Sequence, residues 1–223
     1  MNFVFGSFLN VGYWNGLNFG LFVIMGYQMG LLKGVIDSIP NSLYSEKVLR
    51  TLPAIMIAPI HRFTLLSGLM VSKLVLISIP FCLFLVVALF IYPCSFLTFV
   101  VIIIIFLLMA IIFMGIGAIL GVFTMSNENI WRLLELGLYF LFWLSALNYP
   151  IEIFPDILQF FIKLNPLYYF FDILHFTWIE NNVVYTIMAH PFHVGLLLSC
   201  ALLIPLVGIY IFDKVFKKYG IEL

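Results

Sequence analysis

Of the chain's 223 residues, 65% are hydrophobic and 9% charged, and the formal net charge is zero. A soluble domain carries about a quarter charged residues, so this surface cannot be kept in water and the chain is read as an integral membrane protein of the all-α class. Charges this sparse and dispersed also exclude a nucleic-acid footprint, leaving the lipid bilayer as the first partner.

A spanning helix needs about 20 mostly apolar residues. The segments that qualify are 11–36, 74–92, 96–123, 133–147 and 192–212, which predicts five visible spans in a single transmembrane domain over 1–223. The first ten residues hold no Lys or Arg, so the basic flank of a secretory signal peptide is missing. Span one carries two glycine ladders at four-residue spacing, Gly12, Gly16 and Gly20, then Gly26, Gly30 and Gly34, with Asn15, Asn18 and Gln28 among them. Small residues every four positions let helices approach closely, and amides bond across the contact. The ladder is therefore read as a packed face, either the wall of a translocation path or simple helix packing.

The block 37–73 follows, the most polar interval of the chain. Pro40 is expected to stop the helix leaving span one, with Asn41 or Ser42 capping a new one. Beyond it Leu43, Val48, Leu49 and Leu52 alternate with Ser45, Glu46, Lys47, Arg50 and Thr51, which predicts an amphipathic helix on the membrane surface. Pro53 and Pro59 bracket an apolar stretch, and His61 and Arg62 lead into another short helix. Span two is started at Leu74 because a Lys inside the bilayer costs a few kcal/mol, which puts Lys73 at the boundary.

Span three has a weaker small-residue pair, Gly117 and Gly121. Arg132 and Glu135 open span four on one helix face, which predicts an ion pair at the membrane boundary. The segment 148–180 is apolar and aromatic but interrupted by Pro150, Pro155 and Pro166, with polar groups at Asp156, Lys163, Asn165, Asp172 and His175. Its apolar stretch 157–164 is too short to span. Two short helices dipping into the outer interface are expected, broken at Asn165–Pro166. His190 and His193 flank Pro191–Phe192, yet no cysteine or carboxylate stands beside them in sequence, and no metal site is assigned. Cys82, Cys94 and Cys200, an odd set in or near apolar runs, read as small packing residues.

With five spans, Lys33, Lys47, Arg50, Arg62, Lys73, Arg132, Lys214, Lys217 and Lys218 share one side, leaving only Lys163 opposite. The positive-inside rule makes that side cytoplasmic. It predicts a multi-pass protein of the cell membrane with its C-terminus inside and its N-terminus outside. That N-terminus has two readings: a further spanning helix encoded upstream of Met1, or a short polar segment that translocates by itself. There is no P-loop, no His-Glu-x-x-His and no Gly-x-Ser-x-Gly, so no catalytic residue, metal or cofactor is assigned to this chain.

Two stretches resemble the membrane permease subunit of type-two ABC exporters. One comprises Glu46, Thr51-Leu52, Ala58-Pro59-Ile60 and Ser72-Lys73. The other comprises Phe154-Pro155, Leu158-Gln159, Leu164-Asn165-Pro166-Leu167-Tyr168-Tyr169 and Asp172. The resemblance implies that Leu43, Glu46, Lys47, Arg50, Pro59, His61 and Arg62 belong to a coupling element docking on a separate ATP-binding subunit. It further implies that Gly12, Gly16, Gly20, Gly26 and Gly30 line packing or pathway surfaces, and that Pro155, Asn165, Pro166, Tyr168 and Asp172 shape outer re-entrant helices. ATP and magnesium would sit on the partner subunit, and a second permease copy, identical or related, would complete the pathway. The chain departs from the family in three places: five spans instead of six, Arg50 where glycine is frequent, and His175 where arginine is frequent. The competing reading is a non-transporting membrane scaffold or assembly factor that binds a soluble partner through the block 37–73.

Overall fold

The computed structural model describes residues 16–51, 54, 62–126 and 128–221, with side chains over 18–51, 54, 63–124 and 132–215. No strand occurs among them, and the expected all-α class holds. The helices are α1 (Gly16–Val48), α2 (Arg62–Ile91), α3 (Phe96–Ser126), α4 (Glu128–Trp143), α5 (Asp156–Leu164), α6 (Pro166–Glu180), α7 (Val183–Ala189) and α8 (Pro191–Ile221), with a 3-10 turn at Ile151–Ile153 between α4 and α5. Two compact units emerge, one from residues 1–30, 80–106 and 140–197, the other from 31–79, 107–139 and 198–223.

Four helices, α1, α2, α3 and α8, are long and apolar enough to cross a membrane. The segment expected to be the fourth of five spans is shorter. Its helix ends at Trp143 and gives way to turns in which Ala146 takes a left-handed φ of 52°. At 1.5 Å per residue, α4 covers about 24 Å against a hydrocarbon core of about 30 Å. The ion pair expected between Arg132 and Glu135 does not form among the described residues.

Helix α1 corrects the sequence reading most. It runs unbroken through Pro40 to Val48, so the separate surface helix with an Asn41 or Ser42 cap is not there. A proline in a helix cannot bond the carbonyl four residues back, here that of Ile36. In this structure Gly117 of α3 packs against that carbonyl; a methyl group at Gly117 would come within 2.7 Å of Ile36 O. Gly121 gives the same helix face room for Ile39 and Leu43, whose side-chain carbons would stand 3.0 and 2.9 Å from a methyl there. Ile36, Ile39 and Leu43 are all buried. Close packing of this stripe against α3 offsets the roughly 3 kcal/mol a helical proline costs.

The same unit joins α3 to α8 at backbone distance. A methyl at Gly115 would lie 2.7 Å from Pro205 Cα, and one at Gly208 would lie 2.5 Å from Gly115 O. Helix α2 begins at Arg62, about three turns before Leu74, so Lys73 sits inside the helix instead of at its start. Its stem lies across Gly34, with Cε 2.9 Å from where a methyl would be. Glycine makes room there for the end of the lysine side chain, whose Nζ would lie 3.6 Å from the same methyl.

In the other unit, Asn165 joins two helices. Its Oδ1 accepts from Leu167 N at 3.0 Å, capping α6, while Nδ2 donates to Leu141 O at 2.6 Å and Leu144 O at 3.2 Å. Pro166 occupies the first turn of α6, where its missing N–H costs nothing. The break expected at Asn165–Pro166 is thus present. Farther along, Trp178 Nε1 donates to Tyr92 O at 3.0 Å, and Asn181, in left-handed conformation, accepts from Ser95 N at 2.7 Å. These bonds fasten the α2–α3 connection to α6.

His175 is 2% exposed, stacks on Phe22 at 3.7 Å and places Nε2 3.2 Å from Phe22 O. Burial pushes its pKa down to about 3, against smaller upward pulls from the carbonyls of Phe22 and Phe171.

Three outcomes follow for the protein in detergent, read by thermal unfolding. Gly117→Ala forces a methyl onto the Ile36 carbonyl and costs roughly 1–3 kcal/mol. Gly137→Ala, with open space around it, is neutral or slightly stabilising. Asn165→Ala loses the cap and orphans two carbonyls, at roughly 1–3 kcal/mol; Asn165→Asp, which keeps the acceptor but not the donor, does not restore stability. Because His175 titrates lower folded than unfolded, its contribution is complete above about pH 6.5 and is lost as pH falls toward about 3. By pH 4.5 the loss is roughly 2–3 kcal/mol, and His175→Gln removes that part of the acid sensitivity.

Candidate functional site

The end of α1 forms the first candidate surface. Leu43 is 3% exposed and packs toward Gly121, so it holds the helix end to α3 and offers nothing to a docking partner. Glu46 and Lys47 are half-buried, whereas Val48, Leu49, Arg50 and Thr51 are exposed. Thr51 N donates to Glu46 O at 3.0 Å, and its hydroxyl donates to the Glu46 carboxylate. Arg50 takes a left-handed φ of 58°, the position after a helix C-terminus that glycine fills most easily. The resemblance implies a frequent glycine at this position, and the left-handed backbone gives a physical reason for one. The helix therefore ends in a fixed knob with two exposed aliphatic side chains and a base. Pro59 and His61 lie outside the described residues; Arg62 opens α2, and its side chain is outside them as well.

Among the described residues, Gly20, Gly26, Gly30 and Gly34 of the span-one ladder face protein. Gly12 lies outside the described residues and Gly16 opens α1. A methyl at Gly20 would stand 2.5 Å from Tyr92 Oη; at Gly26 it would meet Leu147 O and Asn148 Oδ1; at Gly30 the nearest neighbour is Leu147 Cδ2 at 3.8 Å. Gly20 and Gly26 are close-approach positions, while Gly30 has ordinary room. Between the last two, Gln28 is 1% exposed, and neither polar atom of its amide has a hydrogen-bond partner among the described residues.

Sequence reasoning passed over a charged cluster in the lower half of α1. Lys33 Nζ pairs with Asp37 Oδ2 at 2.8 Å, with side chains 12% and 18% exposed, and sits 3.7 Å above the Tyr139 ring. The i,i+4 spacing was a readable signal for the pair. The aromatic third member, from α4, had none.

The segment 148–180 supplies the remaining expected residues. Pro155 precedes α5, and Asn165 and Pro166 make the joint described above. Tyr168 and Asp172 line a small cavity with Phe22, Glu152, His175 and Phe176. Burial, and then the carboxylates of Asp172 and Glu152, push the Tyr168 phenol above its ordinary pKa, so it stays a neutral hydrogen-bonding group. Asp172 also approaches a residue that sequence distance concealed: its Oδ2 lies 3.1 Å from His193 Nδ1.

The family model for ABC-2 type transporters matches residues 1–178. No curated protein matches the chain. With four membrane-length helices, a helical joint at Asn165–Pro166 and a family match over most of its length, the chain belongs to the ABC-2 type transporter family, as a multi-pass membrane permease component of an ABC transporter.

Proposed function

We propose that this chain is the permease of an exporter driven by separate ATP-binding subunits, and that the coupling contact is the exposed knob at the end of α1. The observation that supports this is the helix itself. It is 33 residues long and uninterrupted, about 50 Å at 1.5 Å per residue, so its polar end extends past a core of about 30 Å. A partner gripping Val48–Thr51 would move a rigid element that is buried over half its spanning length. Rigid-body displacement of such a helix is a recognised way to pass a conformational change across a protein.

In this reading the ATP-binding subunit carries ATP and magnesium, and this chain carries no cofactor. Counting α4 with the turns after it as a crossing beside α1, α2, α3 and α8, the base-rich ends, including Lys47, Arg50 and the C-terminal lysines, fall on one side, and the positive-inside rule makes that side the cytoplasm. The re-entrant pair α5 and α6 then faces outward. A second permease copy, identical or related, would complete the pathway. The exposed apolar side chains of α2 and α8, such as Val75, Ile79, Leu202 and Leu206, suit contact with lipid or with that copy.

The test is co-purification with the cognate ATP-binding subunit from membranes. Leu49 is 68% exposed, so Leu49→Asp leaves the fold alone and is expected to reduce recovery of the ATP-binding subunit tenfold or more, because it places an unpaired charge in an interface core. Glu46→Arg is expected to have the same effect, at some cost in stability through the lost Thr51 bond. If both variants retain the ATP-binding subunit and ATP-driven export at wild-type levels, the knob is not the coupling contact. If wild type never recruits such a subunit, the chain is a scaffold binding something else.

A further inference from the structure

Asp172, His190 and His193 each present one ligand atom, and these atoms lie within 4.8 Å of one another. We propose that they form a binding site for a divalent transition metal of the zinc type, which staples α6 to the corner where α7 turns into α8. All three residues belong to the same compact unit. The site neither requires nor informs the transport reading above.

The chemistry of the set selects the metal. Two imidazoles and one carboxylate are a frequent three-residue set for zinc, leaving a fourth position for water. Hard cations such as magnesium and calcium prefer oxygen ligands. Tetrahedral zinc with ligands at about 2.0–2.1 Å holds its donor atoms ~3.4 Å apart. Asp172 Oδ2 and His193 Nδ1, at 3.1 Å, already have that spacing. The remaining gap closes by rotating the His190 ring, whose centroid is 5.0 Å from that of His193.

A plain ion pair explains less of what is seen. His193 Nδ1 is buried and makes no hydrogen bond among the described residues, although the Asp172 carboxylate lies 3.1 Å away. An ion pair also gives no reason for a second imidazole stacked on the first. Aromatic rings flank the pair: Phe176 stacks on His190 at 4.6 Å, and the Tyr169 ring meets His193 edge-on at 5.0 Å. Pro191 holds the backbone between the two histidines at the first turn of α8. Side chains of His193 and Asp172 retain 15% and 12% exposure, enough for a metal to enter. The staple joins elements with no covalent link shorter than the whole of α7, at the start of the last spanning helix.

The experiment uses the full chain in detergent, purified by a tag free of histidine and stripped with a chelator. Zn2+ and Co2+ are titrated separately. Wild type is expected to take up about one Zn2+ per chain, to rise in thermal midpoint, and to give the intense visible absorption of tetrahedral Co2+. His193→Gln, Asp172→Asn and His190→Gln are each expected to weaken uptake tenfold or more, while eluting as wild type does on gel filtration. Should a variant misfold, wild type alone decides: Zn2+ must shield both His190 and His193 from carbethoxylation, read by mass spectrometry. Uptake that persists in the His190→Gln/His193→Gln double variant, a weak octahedral Co2+ spectrum, or no shielding of the two histidines would each overturn the proposal.

Discussion

A bilayer core has no water to satisfy a backbone carbonyl that loses its partner, and this constraint governs how the long helices meet. Pro40 leaves the Ile36 carbonyl without its helical donor, and Gly117 is the residue α3 sets against it. A Cα–H group approaching that closely offers a weak hydrogen bond that a larger side chain would prevent. Gly115 packs instead on the backbone of Pro205 itself, and Gly208 rests on the Gly115 carbonyl. The tightest contacts between these helices are thus backbone to backbone. Dispersion and close packing, not hydrophobic exclusion, hold helices together in lipid, so these few positions carry much of the fold.

How much of this was readable in advance depended on whether the signal was local. Asn165–Pro166 was legible, because an Asn before a Pro at a helix start is a complete local instruction: cap, fixed φ and a donor no longer needed. The glycine ladders were legible as packing surfaces, although the sequence did not show that their partners would be Tyr92, Leu147 and Lys73. Pro40 misled because the rule that proline ends helices is also local. What overrode it was tertiary: a buried stripe of Ile36, Ile39 and Leu43, with a glycine opposite the freed carbonyl. Lys73 misled for a related reason, since the cost of a lysine in a span assumes no glycine groove for its stem. Asp172 beside His193 had no sequence signal at all, because the contact joins α6 to α8 across an intervening helix.

These corrections change how the candidate coupling element is understood. An isolated surface helix would respond to a partner by tilting on its own. In the structure Val48 instead closes the same unbroken helix that carries Gly20 and Gly26, where Tyr92 and the turn after α4 lie against it. Along the way lies Gln28, whose buried amide has no partner among the described residues. A polar group without a partner is costly in a dry interior, and a shift of α1 is one way to give it one. The Lys33–Asp37 pair and the Tyr139 ring hold the lower part of the same helix.

The central claim, that ATP-driven motion enters through the end of α1, is tested most directly by placing a photo-crosslinking amino acid at Leu49 in membrane vesicles containing the cognate ATP-binding subunit. The account predicts a crosslink to that subunit from position 49 whose yield changes when ATP is bound, and none from position 202 on the exposed face of α8. A crosslink from position 202 with none from position 49, or one at position 49 indifferent to nucleotide, would contradict it.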